Sequence, residues 1–141
     1  MRIDRSCWIR FALIFAAAFT LAAQTPDVSG TWLSDTDANQ KWVLDQKDGK
    51  VHVQEMKEGR VEADFTCSLT GEECKAKEGG HAEKIMMYFN GTKLVEICER
   101  ENGSIKKWLM VSPDGKTLTV ETVPLSSSQR SEKISFHRQT A

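Results

Sequence analysis

Apolar and polar residues alternate in short runs along most of this chain, and nearly every run ends at a glycine pair. Trp42 and Leu44 share one face of Lys41 to Lys47, with Val43 on the other. Val51 and Val53 stand against His52 and Gln54, while Val61, Ala63, Phe65 and Cys67 stand against Glu62, Asp64 and Thr66. A period of two marks a half-buried β-strand. Between the runs lie Asp48-Gly49, Glu58-Gly59, Asn90-Gly91, Asn102-Gly103 and Asp114-Gly115. Glycine takes positive φ freely, and Asn or Asp tolerates it, so such pairs suit two-residue hairpin turns. Further strands are predicted at Ser29 to Leu33, Lys84 to Phe89, Lys93 to Glu99, Ile105 to Val111, Thr117 to Pro124 and Glu132 to Arg138.

The rhythm therefore predicts an all-β protein, an up-and-down antiparallel meander of about nine strands. A meander of that size has two exposed edges, and rolling up removes them. An eight- to nine-stranded closed barrel is the expected architecture, with room for one small ligand. One stretch breaks the pattern. Thr70 to Glu83, TGEECKAKEGGHAE, is polar, charged and glycine-bearing, and reads as a long connection. Connections of this length are commonly functional. A helical turn or an extra edge strand around Cys74 to Lys77 is the alternative reading.

The first 23 residues stand apart. Arg2, Arg5 and Arg10 precede the apolar run Phe11 to Ala23, which is shorter than the ~20 residues a spanning helix needs. This is the pattern of a cleaved signal peptide, with Ala22 and Ala23 before the cut. The expected mature domain is 24–141, exported to the periplasm or beyond and without stable membrane insertion. Removing Arg2, Arg5, Arg10 and Asp4 from the 19 basic and 20 acidic side chains leaves 16 and 19, a net charge of −3. Its longest basic cluster is Lys106-Lys107, so nucleic acid is not an expected partner.

Export sets the reading of the thiols. Cys67 and Cys74 bracket a segment containing a Thr70-Gly71 turn, and a local disulfide is expected between them. Cys98 is then left as a buried thiol acting as a small hydrophobe, or as an alternative partner for one of the other two. Cys67, Cys74 and His81 are evenly spaced, but lack the close pairing of structural zinc sites, and no metal or other cofactor is expected. His52, His81 and His137 fall in separate segments and no Gly-X-Ser-X-Gly elbow exists, so no catalytic residues are expected and the protein reads as a non-enzyme.

Ser29-Gly30-Thr31-Trp32 at the first strand resembles the Gly-X-Trp signature of the lipocalin and fatty-acid-binding (calycin) superfamily. The final strand, Ile134-Ser135-Phe136-His137-Arg138, is similar to that family's closing strand. The resemblance implies a lipocalin-like barrel in which Arg138 packs over Trp32 and plugs one end, a structural role. It also implies a small hydrophobic or amphipathic ligand inside the barrel. Candidate pocket-liners are Trp42, Phe65, Met87, Tyr88, Trp108 and Met110, since binding cavities are mostly apolar. The second reading is a protein-interaction or inhibitor module that uses 70–83 as a loop on a solid barrel, its partner unidentified.

Overall fold

The computed structural model describes residues 25–78, 81–125 and 128–140; the expected leader, 1–23, lies outside them. Ten strands follow one another: β1 (Gly30–Ser34), β2 (Gln40–Lys47), β3 (Lys50–Lys57), β4 (Arg60–Ser68), β5 (Thr70–Glu78), β6 (His81–Asn90), β7 (Lys93–Arg100), β8 (Gly103–Val111), β9 (Thr117–Pro124) and β10 (Glu132–Arg138). Each pairs antiparallel with its sequence neighbour, and β1 also pairs with β10, which closes the barrel. No helix among the described residues is long and apolar enough to cross a membrane.

Two expectations need correction. The barrel has ten strands, not eight or nine. The stretch 70–83 is not a loop, because β5 occupies most of it and β6 begins at His81. Its strand character is hard to see because its buried side chains are small: Ala76 is buried and Cys74 partly so, while Glu73, Lys75 and Lys77 face solvent. The interaction reading that required a loop here loses its premise.

Turn chemistry sets the hairpins. Asp48 and Gly49 have φ of 52° and 71°, and Glu58 and Gly59 have 51° and 74°, left-handed at both central positions. That geometry matches the twist of the flanking strands. Alternation then sends one face of each strand inward, where Val53, Phe65, Ile85, Met87, Leu109 and Phe136 belong to a continuous buried cluster. Full burial of such a side chain stabilises by about 1.5–3 kcal/mol.

The seams are unequal. β3 and β4 pair along almost their whole length, whereas β4 and β5 share one register pair among the described residues, Ala63 with Glu78. The disulfide between Cys67 on β4 and Cys74 on β5 crosses this seam, with a Cα–Cα distance of 5.5 Å.

Candidate functional site

One end of the barrel is closed by Trp32 and Arg138. They are register partners across β1 and β10, and the guanidinium carbon lies 4.3 Å from the indole centroid. Arg138 also donates through Nη1 to the Ser29 carbonyl at 2.6 Å and through Nε to the Gly115 carbonyl at 2.7 Å. Trp32 Nε1 donates to the Val28 carbonyl at 3.1 Å. Arg138 Nε, Arg138 Nη1 and Trp32 Nε1 each have a backbone carbonyl as partner. Nearby, hydrogen bonds from Ser29 hold the Asp27 carboxyl below its ordinary range.

The interior above the plug is apolar, and then becomes ionic. Trp42 on β2 stands beside its register partner Glu55 on β3, and Glu96 on β7 stands beside Lys107 on β8. In the ten-strand circuit β2 is five steps from β7 in either direction, and β3 is five steps from β8. The two pairs therefore face each other across the lumen. Lys107 Nζ crosses it, donating to Glu55 Oε1 at 3.0 Å and lying 3.2 Å from Glu96 Oε1 and 5.2 Å from the Trp42 centroid. Phe136 packs against Trp42, with centroids 5.8 Å apart.

This layer is deeply buried but not fully satisfied. Glu96 is 1% exposed and Trp42 3%. Although Glu96 Oε1 is near the lysine, the approach is not a hydrogen bond. Neither Glu96 oxygen has a hydrogen-bond partner, and neither does Trp42 Nε1. Buried polar groups in folded proteins are overwhelmingly paired, so three such atoms facing one lumen call for an explanation.

A second buried cluster lies nearer the end opposite the plug. Cys98 donates to Glu83 Oε2 at 2.7 Å, and Arg100 Nε pairs with Glu83 Oε1 at 2.8 Å. Burial, and then the carboxylate beside it, push the Cys98 thiol up to about 12. A thiol held protonated is a poor nucleophile and a poor metal ligand.

Of the six candidate liners, Trp42, Phe65 and Met87 lie inside. Tyr88, Trp108 and Met110 do not, because strict alternation turns them outward while Met87, Lys107 and Leu109 turn in. Tyr88 and Trp108 flank Val95 in register on the outer wall, and Lys93 and Lys106 sit over the Trp108 ring at 5.5 and 5.1 Å. Met110 edges a cleft of about 650 Å³ near the plugged end, shared with Pro26, Asp27, Thr92 and Pro113. His52 and His137 each meet a carboxylate, Asp64 at 2.6 Å and Asp35 at 2.7 Å, in exposed positions away from the lumen. The hydrogen bond from His52, with a second from Gln54, holds the Asp64 carboxyl below its usual range.

Sequence reasoning did not single out Glu55, Glu83, Glu96, Arg100 or Lys107. Their signal was present as phase: Glu96 shares a face with Leu94 and Cys98, and Lys107 with Leu109. No protein-family model matches this chain, and no curated protein matches it either. The architecture defines a class, an all-strand antiparallel barrel closed by its first and last strands and consistent with a lipocalin-like barrel.

Proposed function

We propose that this chain is an exported, lipocalin-like binding protein that holds one small amphipathic molecule inside the barrel and does not transform it. The observation that carries this reading is a set of buried atoms without a hydrogen bond: Trp42 Nε1 from one wall and both Glu96 oxygens from the other. Leaving a buried polar group unsatisfied costs about 1–3 kcal/mol. A bound molecule that offers an acceptor to the indole and a donor to the carboxylate relieves that cost, and binding then stabilises the fold by linkage. The Cys67–Cys74 disulfide accords with an oxidising, extracytoplasmic setting, as does the leader-like N-terminus.

The test is a thermal-shift screen of the 24–141 chain against amphipathic and hydrophobic small molecules, followed by a crystal structure of any complex. The expected result is a raised melting temperature and ligand density touching Trp42 and Glu96. Absence of any shift, together with ordered water satisfying all three atoms, would overturn the reading.

A further inference from the structure

The charge of the lumen layer narrows the ligand. One ammonium, Lys107, is shared by two carboxylates on opposite walls, Glu55 and Glu96. Glu55 takes the hydrogen bond, and Glu96 keeps proximity without one. The Trp42–Glu55–Glu96–Lys107 quartet thus sets two carboxyl groups around one lysine. Glu96 stays within ion-pair distance of Lys107, yet neither of its oxygens accepts a hydrogen bond. A buried carboxylate is stabilised most by a charge-assisted donor, and an N–H of a cation is the strongest available.

Resting on the binding reading above, we infer that the ligand's head group is a protonated primary or secondary amine, with an apolar chain behind it. Its N–H groups donate to Glu96, the carboxyl that Lys107 approaches without a hydrogen bond. A hydroxyl or carbonyl on the same molecule accepts from Trp42 Nε1. A fatty acid is the wrong sign for this layer: its carboxylate would stand against Glu96 and Glu55 with one lysine among three anions.

Isothermal titration calorimetry of the 24–141 chain with decylamine, decanol and decanoic acid, all below their aggregation concentrations, tests this. The amine should bind one per chain, about tenfold or more tighter than the alcohol, with the acid weakest, as expected for one added charge-assisted hydrogen bond. Glu96→Gln should weaken the amine far more than the alcohol, whose hydroxyl gives Glu96 only a neutral donor, and so bring the two affinities together. The three-probe comparison in the unaltered protein stands even if that variant folds poorly. If the acid or the alcohol binds as tightly as the amine, or Glu96→Gln leaves the amine unaffected, the amine inference fails while interior binding stands. If none of the three binds, both fall.

Discussion

Cys67 and Cys74 are bonded across the β4–β5 seam, where Ala63 and Glu78 form the one register pair among the described residues. The bond ties two neighbouring strands of the barrel together. Closing a loop of this size restricts the unfolded chain by about 2 kcal/mol. Replacing both cysteines by serine is therefore expected to lower the urea-unfolding free energy by about 2 kcal/mol. Amide hydrogen exchange should accelerate first in β4 and β5. Uniform acceleration around the barrel would show that the seam is held by something else.

The plug makes a steric prediction. A Cβ on Gly30 would lie 2.5 Å from Arg138 Nη1, and Gly30 has φ of 148°. Gly30→Ala should destabilise by about 1–3 kcal/mol through clash and backbone strain together. Arg138→Ala should cost about 2–4 kcal/mol, from the lost indole contact and two charged hydrogen bonds. In the double variant the clash with Arg138 is gone, so Gly30→Ala should cost less there than in the wild type. Strict additivity by denaturant titration would contradict the geometry.

Lys107 and Glu96 are expected to behave oppositely. Lys107→Met removes the ammonium that Glu55 and Glu96 share, and breaking a buried pair this way costs about 3–5 kcal/mol. Glu96→Gln removes a carboxylate that already lacks a hydrogen-bond partner and leaves Lys107 with Glu55. Its unfolding free energy should stay within about 1 kcal/mol of the wild type. Equal losses in the two variants would show that Glu96 is an essential structural partner of Lys107.

The hairpin glycines were legible because a left-handed turn admits few residues, and Asp48-Gly49 and Glu58-Gly59 take the conformation their chemistry favours. Closure followed from the number of strands. β5 was obscured because its buried side chains are as small as Ala76, so apolar alternation nearly vanishes. The ionic layer was missed for a different reason. A charged residue on a strand normally marks the solvent face, and Glu96 and Lys107 lie on the other one. Conversely Tyr88 and Trp108, read as liners on account of size, shield Val95 from outside. Phase along the strand was the better guide, since adjacent Met87 and Tyr88 cannot point the same way.

Cys98 supplies a pH test. Its thiol is held up at about 12 by burial and by Glu83, above the ordinary value near 9 that it regains on unfolding. Below pH 9 both states keep the proton, and the contribution to stability is fully present. As pH rises from about 9 toward 12 the unfolded chain loses that proton and the native chain does not, so stability falls. Wild type should therefore lose stability relative to Cys98→Ala across that range, in paired urea titrations at pH 8 and pH 10.5. A thiol-reactive dye at pH 8 should label Cys98 on unfolding and not before, since Cys98 is fully buried. A constant difference between the two proteins at both pH values, or rapid native-state labelling, would place the thiol in a more open setting than its contact with Glu83 describes.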